Sequence, residues 1–195
     1  DARSIDVAFL YRKNIFRPIH SKAHELVLYS DTDRTKRKYT RDQLYVKGKL
    51  DGEEMHFIVN HWPSRSGGEQ KSRASRVSAA ALNQKAIDSL HSIDAMSKIF
   101  VLGDLNDDPT NDSVLVTLNA QKDREDVRPQ MIYNPYIQML KDGYNTLAYR
   151  DAGNIFDQIM FTYPLLNEAN QEGYRYYQAN IYNPSFMTSK TGRYK

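Results

Sequence analysis

A histidine and an arginine stand close together in the motif NHWPSR at residues 60–65, directly after the apolar run 57–59. The apolar run is typical of a strand, so we expect His61 at the end of that strand. A histidine there can hydrogen-bond a phosphate or protonate a leaving oxygen. Asn60 and Arg65 flank it and are candidate substrate contacts. The alternative is a histidine that only caps a loop.

A second polar cluster, GDLNDDP at residues 103–109, follows the apolar run 99–102. Ligands of α/β proteins bind at the carboxyl ends of strands, where Asp104 and Asn106 are expected. An ionised Asp104 can accept a proton from water, and the Asn106 amide can orient that water or an anionic oxygen. Such hard oxygen donors also suit Mg²⁺ or Mn²⁺, which makes both residues candidate metal ligands. The alternative is an Asx-rich turn.

A third candidate is Asp157, an acid within the apolar segment IFDQIMF at residues 155–161. A carboxylate in such a strand must be paired or exposed, because burying an unpaired charge is costly. One functional use is to hold a histidine in a single tautomer. A salt bridge or an exposed strand face would account for the same residue.

The elements that must position these residues form a strand–helix–strand pattern in the middle of the chain. Residues 43–50 and 54–60 alternate around the turn signal Asp51-Gly52, which predicts an antiparallel hairpin. A long helix is expected over 72–96, followed by a buried strand over 98–102, which together make a βαβ-like unit. Further strands are predicted at 7–11, 24–29, 155–162 and 178–181, and further helices at 112–119 and 131–141.

The composition excludes several protein classes. The chain has 195 residues, of which 40% are hydrophobic, and a formal net charge of +3, so it is neither disordered as a whole nor a polycation. It contains no cysteine, which excludes disulfide scaffolds, cysteine–zinc sites and thiol catalysis. No stretch approaches the roughly 20 apolar residues of a membrane span.

The order NHWPSR, helix, VLGDLNDDP and FDQIMF resembles the endonuclease/exonuclease/phosphatase superfamily, the deoxyribonuclease-like hydrolases. The opening IDVAFLYR is similar to an apolar strand of that superfamily. In detail the sequence looks most like the bacterial secreted or envelope members, and this resemblance implies the same location.

The resemblance also implies a fold and a reaction. The fold is α/β, a four-layer α/β/β/α sandwich of two packed, mainly antiparallel or mixed sheets flanked by helices. The reaction is hydrolysis of a phosphate ester, assisted by Mg²⁺ or Mn²⁺, with in-line attack by water. The roles that carry over are phosphate or leaving-group contact for His61, water activation for Asp104, stabilisation of phosphoryl oxygens for Asn106, orientation of a final histidine for Asp157, and phosphate binding for Arg41.

Two parts of the family pattern are absent from the sequence. The amino-terminal Asn and the metal-binding Glu would lie before Asp1, and the closing Ser-Asp-His motif would lie after Lys195. We therefore expect a single domain over residues 1–195 that is incomplete at both ends.

Two functions follow from this sequence. The first is a metal-dependent phosphoesterase, possessing nuclease, phosphodiesterase or phosphatase activity. The alternative is a binding module, or an inactive fragment, that keeps the fold without the metal-binding Glu and the final histidine. The expected partner is a phosphate ester, namely a nucleic acid, a phospholipid or a small molecule, and the expected state is a monomer.

Overall fold

A seven-stranded mixed sheet organises the chain. The computed structural model describes residues 5–30, 32–149, 152–166 and 173–187. Its strands and helices are β1 Phe16–His24, β2 Leu28–Tyr29, β3 Arg37–Lys38, β4 Gln43–Leu50, β5 Glu53–His61, α1 Glu69–His91, β6 Ile99–Asp104, β7 Ala120–Gln121, β8 Ile132–Tyr133, α2 Tyr136–Lys141, β9 Leu147–Tyr149, β10 Ala152–Asn154 and β11 Asp157–Thr162.

The large sheet has the strand order β1-β4-β5-β6-β11-β8-β7. The pairs β2–β3 and β9–β10 form two small separate sheets. This arrangement confirms the α/β class, while the second large sheet of the expected sandwich is not among the described residues. The described part of the chain also contains no helix with the length and apolar character needed to cross a membrane.

The β4–β5 hairpin confirms the prediction made from its turn. Leu50 pairs with Glu53, and both turn residues have left-handed backbone angles, with φ of 47° at Asp51 and 91° at Gly52. Two successive residues with positive φ are what a tight two-residue hairpin turn requires.

The predicted βαβ unit is also confirmed, because β5 and β6 are parallel neighbours and α1 forms the connection between them. Side chains alternate between the two faces of a strand, so each face of the sheet has its own rows. One face packs on α1 and is called the helix face; its central row is Ile58, Val101 and Met160. The opposite face carries a row of Phe57, Phe100 and Phe161 and is called the aromatic face.

Several predicted elements were wrong at the edges of the sheet. Residues 7–11 are not a strand; Phe9 and Tyr11 instead pack their rings on Phe16, at centroid distances of 5.4 and 5.3 Å. Residues 24–29 are not one strand either, since β1 ends at His24 and β2 holds only two residues. Within β1, Pro18 is tolerated because β1 is an edge strand and its pairing is irregular there.

The helix predicted over 131–141 is half strand. Its first part is β8, where Tyr133 pairs with Phe161 of β11. The helix begins only at Tyr136, whose backbone N–H donates to the Asn134 side chain over 3.0 Å. Residues 113–117 form one turn of π-helix, and 178–181 have no regular structure.

Gly103 lies where the helix face has no room for a side chain. Its φ is +126°, and a Cβ added there would lie 2.0 Å from the backbone oxygen of Asn60, the paired residue on β5. A larger residue would therefore push β5 and β6 apart next to Asp104.

Replacing Gly103 by alanine is expected to lower the free energy of unfolding by about 2–4 kcal/mol, because it adds a clash to backbone strain. The matched control is Gly52→Ala, where φ is also positive but the space is open, so only about 1 kcal/mol is expected. Urea denaturation measures both. Equal losses in the two variants would contradict the close packing at Gly103.

Two buried histidines on the helix side make the fold sensitive to acid. His56 accepts or donates a bond to the Tyr45 hydroxyl over 2.8 Å, and both ring nitrogens of His91 lack a hydrogen-bond partner among the described residues. Burial lowers the pKa of His56 and of His91 below the ordinary value of 6.5. The unfolded chain therefore binds more protons than the folded chain once the pH falls below that value.

The free energy of unfolding is expected to fall as the pH decreases through 6.5, by at most about 1.4 kcal/mol per pH unit for each imidazole. Since the His91 ring makes no hydrogen bond to the described part of the chain, His91→Leu should retain the fold and show a weaker pH dependence. His20→Leu, at an exposed position, is the control. Denaturant titrations at several pH values test this, and an unchanged slope for His91→Leu would count against it.

Candidate active site

Three of the predicted functional residues form one row across neighbouring strands. His61 ends β5, Asp104 ends β6 and Asp157 begins β11; His61 and Asp157 are both paired in register with Asp104. The distance from His61 Nε2 to Asp104 Oδ2 is 3.5 Å. All three side chains lie on the aromatic face, where β5 and β6 end and β11 begins. They are partly or fully accessible to solvent. A substrate can therefore reach an imidazole and two carboxylates together.

Asn106 joins this row from the loop after β6. Its backbone is left-handed, with φ of 50°, and its N–H donates to Asp104 Oδ1 over 2.9 Å. This is the Asx turn considered as the alternative, and it fixes the Asp104 carboxylate. The Asn106 side-chain amide also donates to the backbone oxygen of Trp62 over 3.0 Å. The Asx turn and the predicted arrangement of Asp104 and Asn106 are thus the same structure.

Arg65 holds the two site loops together. Its Nε donates to the backbone oxygen of Asn106 over 2.9 Å. Its guanidinium also donates to three side chains, and its Cζ stacks 4.5 Å from the ring centroid of Phe156, the residue before Asp157. The three acceptors are Asp107, Asp108 and Asn111. These contacts position the site, and they leave the predicted substrate contact of Arg65 without support.

A buried ion pair lies beneath this loop. Arg76 of α1 is 0% exposed, and its Nε lies 2.6 Å from Oδ1 of Asp107, which is 1% exposed. The other carboxylate oxygen of Asp107 accepts from the Ser113 hydroxyl over 2.7 Å. Both oxygens of a charged group are therefore occupied, as burial of a charge requires.

The start of β11 is tied to the same loop. Asp108 Oδ1 accepts the backbone N–H of Ile155 over 2.9 Å, and Gln158 donates to the backbone oxygen of Asp107 over 2.8 Å. Sequence reasoning missed Asp107 and Gln158, and it left open whether Arg76 is a surface or a structural charge. The signal for Arg76 was its spacing on α1 with the buried Ala79, Ala80 and Asn83, at three, four and seven residues.

The surroundings of Asn60 do not support its predicted substrate contact. Its side chain is 2% exposed and points to the helix face, where its oxygen accepts from Trp62 Nε1 over 2.9 Å and from Asn83 Nδ2 over 3.0 Å. A buried side chain with these partners fixes the end of β5 against α1, and these contacts give no support to substrate binding. Neighbouring residues of a strand point to opposite faces. Closeness to His61 in the motif therefore did not imply that Asn60 lies on the same face.

The Arg41 side chain also bonds to groups of the protein itself. Its side chain is buried, and it donates to the backbone oxygen of His61 over 3.0 Å and to that of Trp62 over 2.7 Å. Arg41 therefore orients the chain as it leaves β5, and its contacts give no support to phosphate binding.

Among the described residues, the carboxylates of Asp104 and Asp157 and the amide oxygen of Asn106 are candidate metal ligands at this end of the strands. No three histidine or acidic side chains converge on a common point within the part of the chain that is described. Mg²⁺ is commonly held by one or two carboxylates together with waters and a substrate phosphate. The donor set fits that kind of partial coordination and not a site made of protein ligands alone.

The sequence matches the model of the endonuclease/exonuclease/phosphatase family over residues 1–195. No curated protein matches the chain.

Three solved structures resemble the fold. An endonuclease/exonuclease/phosphatase family protein from Bacteroides thetaiotaomicron is 17% identical, with a TM-score of 0.52, and the match covers 78% of this chain and 53% of that one. A mannosyl-6-phosphatase from the same organism is 17% identical, with a TM-score of 0.51, and the match covers 78% of this chain and 55% of that one. The protein SmcL is 24% identical, with a TM-score of 0.50, and the match covers 75% of this chain and 50% of that one. The match thus spans about half the length of each of these structures.

Replacing Arg65 by lysine keeps the charge but removes the forked contacts to the loop. We expect kcat to fall by about tenfold to a hundredfold with little change in KM, because the site is misplaced while the substrate contacts remain. The control is Arg73→Lys, since Arg73 forms an exposed ion pair with Asp112. Steady-state kinetics of the full-length protein test this. A large rise in KM at constant kcat would show instead that Arg65 binds the substrate.

Proposed function

The chain belongs to the endonuclease/exonuclease/phosphatase family, and on that premise we propose that it hydrolyses phosphate esters at the row formed by His61, Asp104 and Asp157. The observation that carries the proposal is the placement of an imidazole 3.5 Å from a carboxylate, both partly open to solvent. The neighbouring polar residues Asn60, Asp107 and Gln158 are by contrast buried and hydrogen-bonded within the protein. A scaffold that holds a few reactive groups open in this way favours catalysis over binding alone.

The proposed reaction depends on proton transfer by Asp104 and His61. Asp104 accepts a proton from a water molecule, whose oxygen then bonds to phosphorus. A protonated His61 donates to a phosphoryl or leaving oxygen as the bond to the alcohol breaks. The alcohol departs with a proton, and inorganic phosphate or a monoester remains.

Asn106 and Asp157 complete this arrangement. Asn106 is held by bonds to Asp104 and Trp62, which suits an amide that orients a phosphoryl oxygen. Asp157 lies beside Asp104 in register. Its proposed part is to orient a histidine, and the described histidines include none that is paired with it.

We propose Mg²⁺ or Mn²⁺ as the metal, with Asp104 and Asn106 as its protein ligands. A bound divalent ion would neutralise charge on the phosphate as the new bond forms. The two oxygen donors leave room for waters and phosphate oxygens, as Mg²⁺ prefers.

Asp104→Asn and His61→Gln are each expected to lower hydrolysis of bis-p-nitrophenyl phosphate by about 10²- to 10⁴-fold, because each removes a proton-transfer group. The exposed Asp123→Asn serves as the control. Release of p-nitrophenol by the full-length protein is the measurement, with melting curves to verify folding.

The metal is tested in the same assay. Chelation by EDTA should abolish turnover and added Mg²⁺ or Mn²⁺ should restore it. Turnover close to wild type in either site variant, or turnover that survives chelation, would overturn the corresponding part of the proposal.

A further inference from the structure

Six basic residues form a strip on the helix face of the sheet, namely Arg17, His20, Lys22 and His24 of β1 and Lys47 and Lys49 of β4. Tyr45 belongs to the hydrophobic cluster that packs on α1, and Lys22 is its partner in register. Residues two apart on a strand share a face, so Lys47 and Lys49 lie on the face of Tyr45. Their partners are His20 and Arg17. The pairing is irregular between Pro18 and His20, which lets Arg17 share that face.

The basic strip is open to solvent and carries a net positive charge. The residues of β1 are exposed, apart from the half-buried His24, and both lysines of β4 are half-buried. Among the residues of β1, β4 and β5 on this face, the one acid is Glu54, which forms an ion pair with Lys47 over 2.8 Å. Arg17 and Lys22 have no acidic partner within the described ranges. Four fixed positive charges therefore face one carboxylate.

Protection of the sheet edge explains only part of the basic strip. Edge strands often carry charged residues because these oppose pairing with another chain, and β1 is such an edge. β4 is paired on both sides, with β1 and with β5, so it needs no such protection. It nevertheless presents Lys47 and Lys49 on the same face. Positive charge concentrated on two adjacent strands favours an anionic ligand.

The basic strip has the dimensions of an extended polymer chain. Side chains two residues apart on an antiparallel strand are about 6.8 Å apart, and adjacent strands are separated by about 4.8 Å. His20, Lys22 and His24 therefore form a straight row, with Lys47 alongside. The spacing along the row is close to that of successive phosphates in an extended single strand of nucleic acid.

One end of the basic strip lies at the end of the sheet that bears the functional row. β1 and β5 both pair antiparallel with β4, so they run in the same direction. β1 ends at His24 and β5 ends at His61. A polymer that follows β1 therefore leads to the strand ends near the functional row, although the strip and the row lie on opposite faces.

We propose that the basic strip is an exosite, a binding site apart from the functional row, for the phosphate backbone of single-stranded nucleic acid. The four fixed cations supply affinity without base specificity, as in other non-specific nucleic-acid binding. The two histidines add hydrogen bonds to phosphate oxygens. The exosite goes beyond the proposed phosphoesterase function, and binding at it requires no turnover.

An anionic membrane fits the basic strip less well. Membrane-surface segments combine basic residues with an exposed apolar face. The strands β1 and β4 expose one large apolar side chain, Ile19, which lies at the irregular step. A polymer held by charge alone has no need of such a face.

The test measures fluorescence anisotropy of a labelled oligothymidine of about 20 nucleotides with the full-length protein, in EDTA to prevent hydrolysis. The logarithm of the association constant should fall with the logarithm of salt concentration with a slope of about −2.8, at −0.7 for each of four contacts. Arg17→Gln/Lys22→Gln should reduce the slope to about −1.4 and weaken binding about tenfold at physiological salt.

The matched control is Arg175→Gln/Lys141→Gln, which removes the same two charges at exposed positions outside the strip. Melting curves verify that both double variants fold. The control should bind like the wild type. Equal weakening in the two double variants would show an effect of net charge alone, and this outcome overturns the exosite, as does a wild type that does not bind.

Histidine NMR locates the contact. Addition of the oligothymidine should shift the imidazole signals of His20 and His24, which His20→Gln and His24→Gln assign, and should leave the buried His91 unchanged. Binding without shifts at His20 and His24 overturns the assignment to the strip.

Vesicles that contain phosphatidylserine test the other occupant. If Arg17→Gln/Lys22→Gln loses sedimentation with these vesicles but keeps its affinity for the oligothymidine, the strip binds a membrane and the proposal is overturned. None of these measurements depends on hydrolysis. Loss of the exosite therefore leaves the phosphoesterase proposal standing, and an inactive protein leaves the binding test decisive.

Discussion

The buried ion pair between Arg76 and Asp107 is the constraint around which the functional edge is arranged. Neither group can leave its partner without placing an uncompensated charge in the interior, and breaking such a pair commonly costs about 3–5 kcal/mol. The pair need not add net stability to have this effect. Because Asp107 also accepts from Arg65 and Ser113, one carboxylate fixes α1, the loop after β5 and the loop after β6 relative to each other.

Alternation along the strands then separates two kinds of polar residue. His61, Asp104 and Asp157 share one face, whereas their neighbours Asn60 and Gln158 point to the other face and bond within the protein. His61, Asp104 and Asp157 can contact a ligand because the buried Asn60 and Gln158 form the hydrogen bonds to the backbone and to α1. Adjacent residues in one motif therefore have opposite roles, and a shift of one residue in register would exchange them.

The sequence was informative where local signals and tertiary structure agree. The Asp51-Gly52 turn and the apolar runs before His61 and Asp104 were enough to place β4, β5 and β6. The helix predicted over 72–96 exists, but α1 begins at Glu69 and ends at His91. Residues 131–141 show the limit, because an apolar run ahead of Pro135 serves a strand as well as a helix until its partner β11 is known. Arg65 shows a second limit of sequence reasoning. Its hydrogen-bond acceptors lie in a loop more than forty residues away, and no local sequence pattern indicates the direction of a long side chain.

The site-bearing strands β5, β6 and β11 are neighbours in the sheet but come from separate parts of the chain. Contacts between segments distant in sequence form late in folding, because the loops that connect them must first be closed. The hairpin and α1 can form locally, but the row of His61, Asp104 and Asp157 exists only after β11 has joined β6. Formation of this row therefore reports that β11 has docked on β6, and a chain cut short before β11 would carry His61 and Asp104 without the third member of the row.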